Sequence, residues 1–228
     1  MLTREWQKKH RRLCWVDETT GDVHLTVDLK RRILTQNIYG VDLDAAAVEV
    51  TQLSLYLKML EDENRTTLER ERELFAEAVA LLPPLQDNIK CGNSLIASDF
   101  SMMPEDLVRV RAFDWPVQFA PIMKAGGFDA VIGNPPYIRI QGFPEDQIAY
   151  FGNHFRTATG NYDIYVNFVA RGLGLLAKAG RLGMILPNKF FRTDYGLGLR
   201  GSLAEKTAVA EIVDFGAEQV FEATTYTC

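Results

Sequence analysis

The chain has few cysteines and lacks both long apolar runs and an excess of positive charge. Its three cysteines, Cys14, Cys91 and Cys228, are odd in number and lack the spacing of a metal site, which favours a reducing, cytoplasmic location. Its apolar runs are shorter than a membrane-spanning helix and its first residues do not form a signal peptide. The sequence therefore predicts a cytoplasmic protein with no bound metal and no membrane contact.

The charge balance limits how the chain can bind nucleic acid. It has 25 Lys and Arg against 30 Asp and Glu, a net charge of −5, which argues against a self-sufficient basic DNA-binding surface. Another segment would have to supply most phosphate contacts. Hydrophobic residues make up 47% of the 228 residues, enough for a full core in one domain, or in one domain and part of another.

The most informative stretch covers residues 127–139, with the sequence Gly-Phe-Asp-Ala-Val-Ile-Gly-Asn-Pro-Pro-Tyr-Ile-Arg. Its short apolar run predicts a buried strand over residues 128–132 that stops at Gly133. The two prolines that follow fix two φ angles and push Asn134 away from helical backbone angles. The sequence therefore predicts a rigid loop at the carboxyl end of a strand, where open α/β sheets bind their ligands.

The side chains of this loop suit attack by a planar amine. The side-chain oxygen of Asn134 and the carbonyl of Pro135 can both accept hydrogen bonds from one NH2 group, which would raise the electron density on its nitrogen. Tyr137 can stack on the flat group that carries the amine. The alternative is a proline-rich turn with an incidental tyrosine. The position of the whole tetrapeptide after an apolar strand favours the functional interpretation.

This tetrapeptide resembles the catalytic motif of S-adenosylmethionine-dependent amino-methyltransferases. With Arg139 included, the string is similar to the N6-adenine DNA methyltransferases of restriction–modification systems, above all the large fused type II and IIG methylases. The resemblance implies a Rossmann-like α/β fold with a mostly parallel sheet, S-adenosyl-L-methionine as cofactor, double-stranded DNA as partner, and extrusion of the target adenine from the duplex. The catalytic residues that it implies are Asn134, Pro135, Pro136 and Tyr137.

A second strand-to-helix junction lies near residue 42. Residues 37–43 predict a strand that ends in an acid, and Asp44 suits the N-cap of the next helix. One face of that helix is predicted to carry Ala46, Val50, Leu53, Leu57 and Leu60. A carboxylate placed between strand and helix can bind ribose hydroxyls, and the resemblance implies this role for Asp42. The alternative is an ordinary exposed acid at the end of a strand.

Three further positions match the resemblance. Residues 88–95 predict a strand and a Gly-kinked turn, where the resemblance implies that Asn93 binds the adenine edge of the cofactor and Ser94 offers its backbone N–H. Residues 220–226 resemble the last motif of the catalytic region, and Phe221 is expected to stack on the second face of the extruded adenine. The alternative for Phe221 is a core phenylalanine at the start of a strand.

The connecting segments have weaker patterns. Residues 98–126 are predicted to be irregular, with the Phe-Asp-Trp sequence at residues 113–115 packed over the sheet edge. Residues 141–160 are predicted to form a mobile loop over the site, with a plain long connection as the alternative. The other expected elements are a charged helix over residues 61–82, a helix over 162–178, a strand over 180–187, a helix over 197–206 and a strand over 208–215.

Parts of the expected catalytic domain are missing from the sequence. The cofactor-binding fold normally opens with a strand and a Gly-rich turn, and we find neither before Asn37. We therefore expect a helical, basic lead-in over residues 1–36 and a partial methyltransferase domain over residues 37–228. DNA would be bound through a recognition domain outside the chain, with Lys189 and Arg192 as candidate contacts to the DNA backbone.

Two other functions stay open at this point. Methyltransferases that modify a glutamine amide in a protein share Asn-Pro-Pro-Tyr, so the acceptor can be a protein amide instead of a base. Arg139, the Phe-Asp-Trp sequence and Phe221 favour DNA. The third hypothesis is an inactive fragment that binds DNA or a partner protein, which the missing Gly-rich turn favours.

Overall fold

A computed structural model describes residues 8–17, 20–61, 63 and 83–215. The chain divides into two compact units, Met1–Gly92 and Asn93–Cys228. Both units combine helices with short parallel strands, which confirms the predicted α/β class. The boundary predicted after residue 36 stays a prediction. Within the described ranges, none of the helices is long and apolar enough to cross a membrane, and no group of His, Cys, Asp and Glu is suited to hold a metal.

The first unit contains an antiparallel strand pair and a parallel strand pair. Its elements are β1 (Cys14–Val16), β2 (Val23–Leu25), α1 (Val27–Asn37), β3 (Gly40–Asp42), α2 (Ala45–Leu60) and β4 (Ile89–Cys91). β1 pairs with β2, and β3 runs parallel to β4 with Asp42 opposite Cys91. The expectation of no strand before Asn37 was therefore wrong. Strands of three residues are too short for alternation of apolar and polar residues to indicate them.

Helix α2 confirms the predicted cap but not a buried apolar face. Asp44 accepts a hydrogen bond from the Ala46 N–H at 2.9 Å and so caps the helix. The helix buries Val48 and Met59. Three side chains of the predicted face are instead exposed: Val50, Leu53 and Leu57.

The second unit is built around the parallel pair β5 and β6. Its elements are α3 (Pro104–Val110), α4 (Trp115–Gln118), α5 (Ala120–Lys124), β5 (Phe128–Gly133), α6 (Glu145–His154), α7 (Tyr165–Leu175), β6 (Leu176–Met184) and α8 (Leu197–Lys206). Short 3-10 turns lie at Ser98–Phe100, Ile140–Gly142, Asn188–Phe191 and Asp194–Gly196. The predicted strand over residues 128–132 and helix over residues 197–206 are confirmed. β5 is only partly buried, however, since Ile132 is exposed.

The prediction of irregular structure over residues 98–126 was wrong. The segment forms α3, α4 and α5, and each of these helices has a proline in its first turn. Proline suits that position because the first N–H groups of a helix have no partner within the helix. Each of these prolines therefore marks the start of a helix.

Two segments after β5 also differ from the prediction. The expected mobile loop over residues 141–160 contains α6, whose Tyr150 and Phe151 are buried. The expected strand over residues 208–215 has no regular secondary structure, and its apolar side chains are largely exposed. A run rich in apolar residues does not suffice for a strand, because a strand also needs a neighbour to pair with.

The core of the second unit is formed by side chains of α6, α7 and the segments that pack against them. α7 packs on both β5 and β6. The fully buried side chains at its centre are Phe151, Ile164, Tyr165, Val166 and Leu199. This packing fixes α7 directly behind the end of β5, where the Asn-Pro-Pro-Tyr sequence begins.

Candidate active site

The Asn-Pro-Pro-Tyr loop lies where the sequence predicts it, at the carboxyl end of β5. Gly133 is the last residue of the strand and pairs with Met184 of β6. A Cβ at Gly133 would lie 2.7 Å from the Met184 sulfur, so a larger residue here would require the Met184 side chain to move. Asn134 and Pro136 are exposed, Pro135 is buried and Tyr137 is half-buried. The loop is therefore anchored at Pro135 and presents the Asn134 side chain at its surface.

Tyr137 packs against the side chain that we expect to hold an amine. Its hydroxyl lies 3.3 Å from Asn134 Oδ1 and 3.4 Å from the Ile185 carbonyl oxygen, to which it can donate. Burial raises the pKa of Tyr137, so its hydroxyl keeps its proton at neutral pH. Because a carbonyl oxygen has two lone pairs, Asn134 can still accept a hydrogen bond from an incoming amine.

The residues after Tyr137 are tied to the start of α7 by backbone hydrogen bonds. The Ile140 N–H donates to the Tyr162 carbonyl at 2.9 Å, and the Ile164 N–H donates to the Ile138 carbonyl at 2.9 Å. The ring of Tyr137 meets the buried ring of Tyr165 edge to face, with centroids 6.3 Å apart. These contacts therefore hold the loop against the start of α7.

The segment that carries Asn93 and Ser94 is also held in place. Asn93 Oδ1 accepts a hydrogen bond from the Leu95 N–H at 3.0 Å, and the Nδ2 group of the same amide is a hydrogen-bond donor. Both Asn93 and Ser94 are half-buried. The carbonyl of Ser94 accepts a hydrogen bond from Trp115 Nε1 at 3.1 Å. This geometry suits donation of a hydrogen bond to an adenine ring nitrogen.

The Phe-Asp-Trp sequence has a contact role that sequence reasoning missed. The Phe113 N–H donates to the Ile96 carbonyl at 2.8 Å, and Asp114 accepts a hydrogen bond from the Ser98 N–H at 3.2 Å. Trp115 also meets Phe128 edge to face, with centroids 6.0 Å apart. Residues 113–115 therefore connect the segment around Asn93 and Ser94 to Phe128 at the start of β5. The side chains of Asp114 and Trp115 can both form hydrogen bonds, and this property was the sequence signal for these contacts.

Asp42 lies in the first unit, at the end of β3 and before α2. It is exposed, and its Oδ1 accepts a hydrogen bond from the Asp44 N–H at 2.8 Å. A carboxylate has acceptor capacity beyond this single bond and can also bind a ribose hydroxyl. Asp42 thus belongs to one unit, and the Asn134–Tyr137 loop with Asn93 and Ser94 to the other. Phe221 lies outside the described residues.

The candidate DNA contacts lie on a turn that follows β6. Lys189 is half-buried and Arg192 is exposed. Arg200 Nη1 donates to the carbonyls of Phe190 and Thr193, which fixes the turn. Lys189 and Arg192 therefore lie on a turn whose backbone is held by hydrogen bonds.

Comparison with known proteins identifies the family. A sequence profile described as "Eco57I restriction-modification methylase" matches residues 36–221. The chain belongs to this family. The matched range includes every residue that the sequence assigned to the candidate site, from Asp42 to Phe221. The resemblance to restriction–modification methylases predicted from the Asn-Pro-Pro-Tyr loop is thereby confirmed.

Individual relatives are similar to this chain over different lengths. The type II restriction enzyme and methyltransferase RM.Eco57I of Escherichia coli is 33% identical over 208 residues, covering 90% of this chain and 19% of the relative. The type II methyltransferase M.XhoI of Xanthomonas vasicola is 36% identical over 94 residues, 41% of this chain and 17% of the relative.

A more distant relative is similar over most of the chain. The adenine-specific methyltransferase PglX of Streptomyces coelicolor is 23% identical over 205 residues, 85% of this chain and 16% of the relative. The chain spans less than about a fifth of the length of these relatives.

Proposed function

We propose that the chain provides catalytic residues of a restriction–modification methylase that transfers a methyl group to N6 of adenine in DNA. The observation that carries this proposal is the ordered Asn-Pro-Pro-Tyr loop at the end of β5, with Asn134 exposed and Tyr137 packed beside it. Membership of the Eco57I family supports DNA methylation within restriction–modification. The printed name of PglX, an adenine-specific methyltransferase, supports adenine as the acceptor.

We propose a Rossmann-like arrangement for the catalytic domain, over residues 37–228. The parallel pairs β3–β4 and β5–β6 support this, since each has its candidate residues at the carboxyl ends of its strands. The family match from residue 36 supports residues 1–36 as a separate lead-in.

The residues fit S-adenosyl-L-methionine as the methyl donor. Asp42 has an exposed carboxylate at a strand end for the ribose hydroxyls. Asn93 Oδ1 is bonded to the Leu95 N–H, and we propose that its Nδ2 group donates to the adenine edge and that the Ser94 N–H assists. When bound, this cofactor supplies an electrophilic methyl group on a sulfonium. The chain's own residues then have to bring the acceptor nitrogen into line with it.

Asn134 and Pro135 perform that alignment. The Asn134 side-chain oxygen and the Pro135 carbonyl oxygen each accept a hydrogen bond from one N–H of the adenine amine. The lone pair of the amine nitrogen is thereby directed away from the loop. Pro136 restricts the backbone of the loop, so the two acceptors keep their spacing. Tyr137 stacks on one face of the extruded base and Phe221 on the other, and together they offset the stacking lost in the duplex. The amine loses its proton after methyl transfer.

DNA binding needs more positive charge than the chain carries. Lys189 and Arg192 lie on the ordered turn after β6, and we propose that both contact phosphates near the extruded base. With a net charge of −5, the chain depends on a recognition domain outside it for most of its affinity for double-stranded DNA.

The acceptor can be determined by direct competition. The complete gene product would be incubated with radiolabelled S-adenosylmethionine, duplex DNA and a glutamine-containing peptide. We expect label in DNA, recovered as N6-methyladenine, and loss of that label with Asn134→Ala. Label in the peptide and none in DNA would show that the substrate is a protein amide. No transfer to either acceptor, with cofactor and DNA still bound, would favour an inactive binding protein.

A further inference from the structure

Helix α6 is hydrogen-bonded to the segment that follows Asn93 and Ser94. The hydroxyl of Tyr150 accepts a hydrogen bond from the Ala97 N–H at 3.1 Å and donates to Asp99 Oδ1 at 2.7 Å. His154 Nε2 lies 3.1 Å from Asp99 Oδ2, and the imidazole stacks on the Tyr150 ring with centroids 3.8 Å apart. One buried tyrosine thus holds both the backbone and a side chain of this segment.

The charge states of these groups fit their hydrogen bonds. Burial and the bond to Asp99 raise the pKa of Tyr150 to about 12. The hydrogen bond from Tyr150 is the largest of the effects that lower the pKa of Asp99. At neutral pH the phenol is therefore protonated and donates to a carboxylate, which is a stronger bond than one between neutral groups.

The other end of α6 is anchored to the same stretch of chain. Asp146 in its first turn lies 2.6 Å from Arg109 Nη2 of α3. Asp146 and His154 are eight residues apart, about 12 Å along a helix. The Asp146–Arg109 ion pair is exposed, so it adds a second and weaker contact between α6 and this stretch of chain.

Helix α7 also forms a hydrogen bond with the segment that follows Asn93 and Ser94. Arg171 of α7 donates from Nη2 to the Leu95 carbonyl at 3.2 Å, and its guanidinium lies over the Phe155 ring at 5.2 Å. Burial lowers the pKa of Arg171. Leu95 and Ala97 are thus each bonded to a side chain that comes from beyond the Asn-Pro-Pro-Tyr loop in the sequence.

We propose that Tyr150 is a positioning residue for the cofactor. Through the Ala97 N–H and Asp99 it fixes the segment on which Asn93 and Ser94 lie, and so sets where the adenine of the cofactor binds. α6 follows the Asn-Pro-Pro-Tyr loop in the chain, and the same helix therefore links the catalytic loop to the cofactor segment. The effect on cofactor affinity rests on the proposed function, whereas the ordering of the segment does not.

Amide hydrogen exchange tests the ordering directly. Tyr150→Phe keeps the ring but removes the acceptor of the Ala97 N–H, and we expect Ala97 to exchange roughly tenfold faster or more. The Ser98 N–H, which is bonded to Asp114, is an internal control and should change little. Tyr162→Phe is the matched variant, since Tyr162 is 3% exposed and its hydroxyl accepts from Asn167. Unchanged exchange at Ala97 in Tyr150→Phe would overturn the proposal.

Cofactor affinity of the complete gene product tests the consequence. By equilibrium dialysis, Tyr150→Phe should weaken S-adenosylmethionine binding about three- to tenfold, the factor expected for one lost buried hydrogen bond. DNA affinity should be unchanged, and Tyr162→Phe should bind the cofactor normally. If Tyr150→Phe folds poorly, Asp99→Ala replaces it in this test. The Asp99 side chain is exposed, and its loss should also weaken cofactor binding.

The outcomes separate this proposal from the proposed function. Faster exchange at Ala97 with unchanged cofactor affinity would overturn the positioning role and leave the methylase proposal intact. Equal loss of affinity in Tyr150→Phe and Tyr162→Phe would also overturn it, because the effect would then be general. If the unsubstituted protein does not bind the cofactor at all, the proposed function fails, and the exchange rates alone decide whether Tyr150 orders the segment.

Discussion

At the residue scale, Tyr137 combines a weakly bonded hydroxyl with a well-packed ring. Its hydroxyl lies at 3.3 and 3.4 Å from its two acceptors, at the long end of hydrogen bonding. Its ring is fixed by the edge-to-face contact with Tyr165. In our account the ring has the main function, because it stacks on the extruded base, whereas the hydroxyl only orders Asn134.

Two substitutions at Tyr137 separate these contributions. Tyr137→Phe removes both long contacts, which share one hydroxyl hydrogen and together are worth at most about 1 kcal/mol, so kcat/KM for DNA should fall no more than about fivefold. Tyr137→Ala removes the stacking surface and should cost about 1–3 kcal/mol in transition-state stabilisation. Steady-state methyl transfer to duplex DNA measures both. If Tyr137→Phe is as damaging as Tyr137→Ala, the hydroxyl has a role that our account lacks.

At the scale of elements, one side chain joins the pieces of the first unit. Asn88 is buried, and its Nδ2 group lies 3.3, 3.0 and 2.9 Å from the carbonyl oxygens of Leu34, Thr35 and Ile38. These carbonyls belong to the end of α1, where a helix leaves acceptors without partners. Asn88 therefore caps α1 from the start of β4 and so holds β3 and Asp42 in place.

Loss of this cap should destabilise the protein. Asn88→Ala leaves buried carbonyls without a donor and should lower the free energy of unfolding by about 1–3 kcal/mol. Asn153→Ala, at an exposed position of α6, is the control and should change it by less than about 0.5 kcal/mol. Urea denaturation of both variants measures the difference. Equal stability of the two variants would show that the Asn88 amide does not cap α1 in solution.

The elements differ in how well local sequence predicts them. β5 and the Asp44 cap follow from residues within a few positions of each other, and both are confirmed. α6 does not, because its Tyr150 and Phe151 are stabilised by contacts far away in the sequence. The apolar segment over residues 208–215 shows the opposite error, since its local pattern favours a strand that has no pairing partner among the described residues.

At the scale of the whole molecule, the sequence located the candidate site but not its supports. The Asn-Pro-Pro-Tyr loop is recognisable from residue type and local order, whereas Asn93 and Asp42 were assigned through the family resemblance. The hydrogen bonds from Trp115 to Ser94 and from Tyr150 to Ala97 join residues 21 and 53 positions apart. Only the folded chain brings such pairs together, and these contacts hold the segment around Asn93 and Ser94 in place.

The central claim is that Asn134 holds the adenine amine during methyl transfer, while Phe221 only stabilises the extruded base. The measurement is the single-turnover rate of N6-methyladenine formation by the complete gene product on duplexes with a matched and a mismatched target adenine. A mismatched base is already cheap to extrude. It therefore separates the cost of extrusion from the chemical step.

The account predicts that Asn134→Ala forms no product on either duplex, although cofactor and DNA still bind. Phe221→Ala should lose about 1–3 kcal/mol of stacking on the matched duplex and regain part of its rate on the mismatched one. Equal rescue of both variants by the mismatch, or an undiminished rate for Asn134→Ala, would contradict the account.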